Sequence, residues 1–279
     1  MQKQCGPETI DLRTTLVDSA QCFHWIEYDG RFGALVHGNA VWLWQGEDGG
    51  VCADCDDWMG MRKYLDLDRD YDLALSPYLQ YEQCRRAIRS FGGLRILNQD
   101  PWEALVAFLL SANNNVSRIR RLVTEINRAY GSERDAGGVT LYGFPEAKVL
   151  ANTEEEALRK LGVGYRAPYL VETARRVADG FPLWDLWKMP YDEAHRLLIS
   201  LPGVGDKVAD CVLLFGCEHA EAFPVDVWVE RLMNAWFDLR EKNRTRLAQR
   251  SRELLGNNAG LLQQYLFHAA RTGAIELTI

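Results

Sequence analysis

The sequence predicts an α+β protein in which an N-terminal antiparallel β-domain packs on a multi-helix domain. Three observations carry that prediction. Up to about residue 46 the chain runs in short segments rich in β-branched and aromatic residues, separated by the hairpin turn signals Asp29-Gly30 and Gly38-Asn39. Beyond about residue 78, apolar side chains recur at helical spacing between caps and glycine stops. At 279 residues, 47% hydrophobic and 25% charged, the chain is globular, with length for one large core or two small ones. The expected boundary gives a β-domain over 1–83 and a helical domain over 84–279.

Taken in order, strands are expected in "TIDLRTTLVD" (9–18), "CFHWIEY" (22–28), "RFGALVHG" (31–38) and "AVWLWQG" (40–46), and a short helix in "DWMGMRKYLDL" (57–67). "YEQCRRAIRSF" reads as a helix stopped by Gly92-Gly93. "DPWEALVAFLLSA" opens with Asp100 as cap, Pro101 in the first turn and Glu103 three residues on. "VSRIRRLVTEINRAYG" follows, and "TEEEALRKLG" opens with a Thr/Glu capping box. Six further helical patterns run from "YRAPYLVETARRVADG" to "LLQQYLFHAARTG", without low-complexity segments or a fixed-period repeat.

Net charge is −7, which at first sight argues against a nucleic-acid partner. The acid is concentrated, however. Residues 1–83 hold 15 acidic and 6 basic side chains, a balance of −9, whereas residues 84–279 hold 24 and 26, a balance of +2. A local basic face is therefore compatible with the total. Seven scattered cysteines suit reduced thiols better than a disulfide framework. No apolar run approaches the roughly 20 residues of a membrane span, and the first residues carry no apolar signal core. The expected location is a cytoplasm, associated with the nucleoid, or a nucleus, without secretion.

The most informative stretch is "ISLPGVGDKVAD" (199–210), a Gly-Val-Gly turn between two helical patterns, with the hairpin spanning about 191–217. Gly203 and Gly205 permit φ > 0 and leave backbone N–H groups uncovered. The next helix begins at once, so its free N–H groups and positive dipole end face the turn and suit a phosphate. A plain helix–turn–helix link explains the same residues. Lys207 lies in the first turn of that helix, where the field favours the neutral amine a nucleophilic lysine requires. An exposed solubilising lysine is the ordinary alternative. Asp226, before "VWVERLMNAWF", reads as an N-cap, and such a carboxylate is held ionised and oriented.

With those residues in place, the chain resembles the helix-hairpin-helix base-excision DNA glycosylases, on "LPGVGDKVAD" followed by "PVD". Further stretches are similar to the 8-oxoguanine DNA glycosylase branch: "AQCFHW", "QDPWEALVAF", "LLSANNNVSRI", "KLGVGYRAPYL" and "LLQQYLFHAA", in order along nearly the whole chain. The resemblance implies excision of 8-oxoguanine, preferably opposite cytosine, from duplex DNA by a bifunctional N-glycosylase and AP lyase, a monomer with neither a cofactor nor a membrane partner. The four clustered cysteines of the iron–sulfur relatives are missing, and "VCADC" is half a metal site, so no metal is expected.

Carried over residue by residue, the resemblance makes Lys207 the nucleophile at C1′ and Asp226 the carboxylate supporting charge on the sugar. Cys211 and Phe267 would sandwich the extruded base, and Gln263 would bond its Watson–Crick edge. The backbone carbonyl of Ala20, where the family usually has glycine, would take the lesion's N7–H. Asn113, Arg118, Tyr165 and Arg166 would fill the gap and contact the orphaned cytosine. Gly203, Gly205, Val208 and Trp228 would hold phosphate. Without the resemblance, Phe267 reads as core packing, Gln263 as a surface amide and the Asn triplet as a loop. A related glycosylase for another lesion, or a non-catalytic DNA-binding module, are the competing expectations.

Overall fold

The computed structural model describes every residue except 1, 7, 48 and 276–279. Five antiparallel strands form one sheet: β1 (Gln2–Gly6), β2 (Ile26–Tyr28), β3 (Arg31–Val36), β4 (Asn39–Gln45) and β5 (Val51–Cys55), in the order β1-β5-β4-β3-β2. The β2–β3 and β3–β4 turns fall at Asp29-Gly30 and His37-Gly38, all four residues with positive φ. Thirteen α-helices are described, beginning with α1 (Trp58–Tyr64), α2 (Tyr71–Leu75) and α3 (Glu82–Ser90).

The α+β class is as expected, and four local readings are corrected. The "TIDLRTTLVD" strand is a helical turn over Thr14–Asp18. The Asp11 carboxylate accepts from the Thr14 amide at 2.8 Å and its hydroxyl at 2.7 Å, and Leu12 and Leu16, four apart, are both buried. This local cap and helical spacing outweigh the β-branched composition. Strands β1 and β5 were not expected, because both are short and poor in aromatics. Their register sets Cys5 opposite Cys52 with Cα atoms 4.1 Å apart, and the two form a disulfide, which corrects the reading of the cysteines as free thiols. Cys22, Cys55, Cys84, Cys211 and Cys217 are free and buried.

The helical part continues with α4 (Pro101–Ser111), α5 (Val116–Tyr130), α6 (Ala147–Ala151), α7 (Glu155–Lys160), α8 (Ala167–Ala178), α9 (Tyr191–Ile199), α10 (Asp206–Gly216), α11 (Val227–Phe237), α12 (Arg244–Leu255) and α13 (Ala259–Thr272). A small hairpin, β6 (Glu133–Asp135) and β7 (Thr140–Tyr142), interrupts the helices and lays Leu141 and Ala136 against Leu35 and Trp42 of the sheet. Asp100 caps α4 through the Trp102 amide as its sequence implies. Thr153 does not cap α7, which starts behind Glu154; its hydroxyl donates back to the Val149 carbonyl at 2.8 Å.

The largest core gathers α4, α5, α8, α10, α11 and α13, and a second lies between the sheet and α1. The segment 19–21 joins them. Gln264 of α13 donates to the Ser19 carbonyl at 2.7 Å, and the Gln21 amide reaches the carbonyls of Thr15 and Arg95. Ala20 is thereby pinned between the two cores.

Candidate active site

One large cavity, about 1210 Å³, opens between the helices. Small-molecule pockets run roughly 300–1,000 Å³, so a nucleoside has room here. Lys207 and Asp226, 19 residues apart in sequence, both line it.

Each is placed by a helix start. Gly203 adopts φ +77°, and a Cβ there would meet the Tyr169 side chain at 2.8 Å, so glycine is required. Gly205 differs from expectation: it is the N-cap of α10 with extended backbone at φ −98°, ψ 178°. Its value is space, since nothing lies within 4 Å of where its side chain would be. No side chain caps α10, so its first amides and positive dipole end face the cavity rim. Lys207 is the second residue of α10. Its Nζ donates to Ser111 Oγ at 3.0 Å and lies 5.0 Å from the centre of the Phe108 ring, and Ser111 donates on to the Phe108 carbonyl at 2.7 Å. Phe23 and Phe215 pack against Phe108 at 5.9 Å and 5.5 Å. The amine therefore rests on an aromatic floor with the Ser111 hydroxyl and the Cys211 thiol beside it.

Asp226 caps α11: Oδ1 accepts from the Trp228 and Val229 amides, both at 2.9 Å. Among the described residues no ion pair joins Lys207 to Asp226, which leaves both groups available to a third party. An oriented carboxylate and an unpaired amine facing one cavity can attack, and then stabilise, an electrophilic sugar carbon.

The expected base-holding residues divide. Phe267 of α13 and Ala20 line the cavity. Cys211 and Gln263 lie just behind it, 3% and 4% exposed. Burial pushes the Cys211 thiol up to about 12, opposed by Lys207 beside it. Gln263 donates to the Pro224 carbonyl at 3.3 Å while its buried Oε1 has no partner among the described residues. Ala20 holds φ +61°, the left-handed region that glycine enters freely and alanine does not. The departure from glycine noted in the sequence thus coincides with backbone strain.

Asn113 and Arg118 line the cavity as well, whereas Tyr165 and Arg166 do not and sit beside the loop that carries Asn113. Asn113 is exposed with φ +52°, and Arg118 is exposed with Nη2 3.5 Å from the Gly162 carbonyl. Tyr165 is exposed and stacks under the Arg166 guanidinium at 4.4 Å. Arg166 is only 5% exposed, and its fork donates to the carbonyls of Ala112, Asn113 and Val163. It clamps the loop that carries Asn113 rather than presenting free donors. Trp228 is exposed at the start of α11, and Val208 is buried in the first turn of α10.

Sequence reasoning missed three residues here. Ser111, the amine's partner, stands inside the quoted "LLSANNNVSRI", but nothing in the motif distinguishes it. Asp210 lines the cavity while 1% exposed, taking the Tyr191 hydroxyl at 2.6 Å, and burial raises its carboxyl to about 6. Arg271 continues the α13 stripe of Gln263 and Phe267 at the same four-residue interval.

Residues 106–257 match the HhH-GPD superfamily of base excision DNA repair proteins, and residues 4–105 match the N-terminal domain of 8-oxoguanine DNA glycosylases. The chain belongs to the HhH-GPD superfamily. This bears out the resemblance read from the hairpin. A probable N-glycosylase/DNA lyase of Methanothermobacter thermautotrophicus is 37% identical over 220 residues, 71% of this chain and 70% of that protein. The apo form of Clostridium acetobutylicum 8-oxoguanine glycosylase/lyase superposes with a TM-score of 0.88 at 30% identity, covering 94% of each chain. The same enzyme in complex with dsDNA containing cytosine opposite 8-oxoG superposes with a TM-score of 0.89 at 27% identity, covering 99% of each. This HhH-GPD protein therefore carries both parts of the architecture, the sheet and the helical body, in the arrangement of a glycosylase/lyase.

Proposed function

We propose that the chain is a bifunctional DNA glycosylase and AP lyase of base-excision repair that removes 8-oxoguanine, preferably opposite cytosine, from duplex DNA. The observation that carries this is the convergence of Lys207 and Asp226 on one cavity of nucleoside size, with the uncapped start of α10 on its rim.

The damaged nucleotide swings out of the stack, which costs a few kcal/mol offset by pocket contacts. Its base lies along Phe267 with Cys211 behind. The Lys207 amine adds to C1′ as the N-glycosidic bond breaks; the bond's electron pair leaves with the base, which gains a proton. Asp226 stabilises the positive charge that develops on the sugar. Loss of a proton from nitrogen and opening of the ring at O4′ yield a protonated Schiff base. Removal of a C2′ proton then expels the 3′ phosphate by β-elimination and nicks the strand. Water releases the lysine.

Phosphate is held by the α10 amides beside Gly203, Gly205 and Val208, and by Trp228 at the start of α11. This backbone grip lets an acidic protein bind a polyanion. Asn113, Arg118 and Tyr165 face the vacated space and the orphaned cytosine, for which a guanidinium is a suitable donor. Arg166 serves by fixing the loop beneath them. The protein acts as a monomer wherever its DNA lies, in a nucleoid-bearing cytoplasm or a nucleus.

Base release is the test. Duplexes carrying 8-oxoguanine opposite each of the four bases, and duplexes carrying other oxidised bases, are assayed for free base and for nicking. Fastest release of 8-oxoguanine opposite cytosine, with a nick in the same strand, is the expected result. Release of a different base, with 8-oxoguanine untouched, contradicts it and favours the reading as a glycosylase for another lesion.

A further inference from the structure

We infer that Arg271 is a further specificity-determining residue of this site, a donor to a carbonyl oxygen on the C6–N7–C8 edge of the extruded base. The inference rests on the proposed excision of an oxidised purine and names a contact which that reading leaves open.

Arg271 lies in the last turn of α13, where a cation usually needs no explanation beyond the helix dipole. Its surroundings differ from that case. It lines the cavity that holds Lys207, Ala20 and Phe267, and its guanidinium stands 5.9 Å from the centre of the Phe267 ring. Its Nε is buried and has no hydrogen-bond partner among the described residues. Burial pulls its pKa below the usual arginine value; Asp18 opposes that shift and Arg120 adds to it. A buried, unmet N–H on a half-buried charged side chain beside an aromatic platform is costly. An acceptor arriving in the cavity removes that cost.

Chemistry selects the acceptor. A base stacked on Phe267 presents its edges to the groups around that ring, and Ala20 and Arg271 both stand on the cavity wall there. In 8-oxoguanine the N7–H is flanked by two carbonyl oxygens, O6 and O8. If the Ala20 carbonyl takes the N7–H, a donor beside it meets one of those oxygens. A guanidinium has donors only, so it suits an edge with acceptors and disfavours a base that turns an amino group toward it. Arg271 would thus supply the donor half of a reading in which Ala20 supplies the acceptor half.

The test compares Arg271→Met and Arg271→Lys with wild type on two duplexes, one carrying 8-oxoguanine opposite cytosine and one carrying a bare abasic site opposite cytosine. Under single-turnover conditions, Arg271→Met should release 8-oxoguanine roughly 10- to 100-fold more slowly, the range for a hydrogen bond from a charged group. Arg271→Lys should recover part of the loss. The loss should be confined to the duplex that carries a base, because abasic-strand cleavage presents nothing to Arg271. Equal losses on both duplexes would make Arg271 a structural residue, and no loss on either would remove it from the site; each outcome overturns the inference alone. A wild type that cleaves the abasic strand but releases no 8-oxoguanine overturns both the inference and the reading beneath it.

Discussion

The two walls of the cavity reach their positions by opposite means. On the α10–α11 wall, each functional group is set by the turn or cap beside it: Gly203 bends the chain, Gly205 leaves the helix start open, and Asp226 caps α11 with its own carboxylate. On the Ala20–α13 wall, the groups are held by contacts spanning most of the chain, such as Gln264 on the Ser19 carbonyl, and they keep unmet demands. Ala20 is left-handed, the Gln263 carbonyl oxygen is unpartnered, and so is Arg271 Nε. The first wall takes its shape from its own local sequence and presents the amine, the carboxylate and an open helix start to the cavity. The second keeps buried polar groups without partners among the described residues, of the kind a ligand completes.

Substitution at Asp226 breaks the comparison most sharply, because this residue is both cap and carboxylate. Asparagine caps a helix about as well as aspartate, so Asp226→Asn should change unfolding free energy by less than about 1 kcal/mol. Loss of its charge should nonetheless slow turnover by roughly 10²- to 10³-fold, as for other preorganised electrostatic groups. Parallel denaturant melts and single-turnover assays check this. A variant with normal turnover would reduce Asp226 to a cap.

A second prediction concerns acid. Burial lowers His268, beside Phe91 on α13, and His24, near the sheet, to about 4 each, against an ordinary value of 6.5. The unfolded chain takes up these protons first, so their contribution is intact above pH 6.5 and is lost as pH falls through 4. A shift of that size is worth about 3 kcal/mol per group. Asp210 works in the opposite sense. Its carboxyl, raised to about 6, favours the protonated fold, so stability is lost as pH rises from 3.8 to 6. The histidines thus destabilise the fold between pH 6.5 and 4, and Asp210 and Glu103, whose carboxyl is also raised by desolvation, oppose them. Denaturant unfolding across that range measures the balance, and His268→Phe should flatten the slope.

How much of this was legible in the sequence follows the same division. The helix starts at Asp100 and Asp226, the hairpin and Lys207 could be read because caps and turns are written within four residues. Cys211, Phe267 and Gln263 came only through the family resemblance, since a phenylalanine and a glutamine one turn apart look like any helix face. The buried setting of Arg166 was not legible, because its acceptors lie 53 and 54 residues away and no local pattern announces it. The Cys5–Cys52 bond was missed for the same reason: it depends on the pairing of β1 with β5, which a separation of 47 residues conceals.

Two smaller effects sharpen the comparison. Arg166→Met leaves the carbonyls of Ala112 and Asn113 short of donors, at a cost of about 1–3 kcal/mol in stability. It should also weaken discrimination among opposite bases, because Asn113 loses its support; duplexes with each opposite base report this. Ala20→Gly relieves the left-handed strain but gives the unfolded chain more freedom. The balance is a stability gain of about 0.5–1 kcal/mol, visible as a small rise in melting temperature.

The central claim is that the amine of Lys207 becomes bonded to the sugar. Reduction with borohydride during reaction with an 8-oxoguanine·cytosine duplex measures it directly. The account predicts a covalent protein–DNA adduct with wild type, mapped by mass spectrometry to residue 207, and none with Lys207→Gln. An adduct that persists in Lys207→Gln, or base release by wild type with no adduct at all, would contradict it.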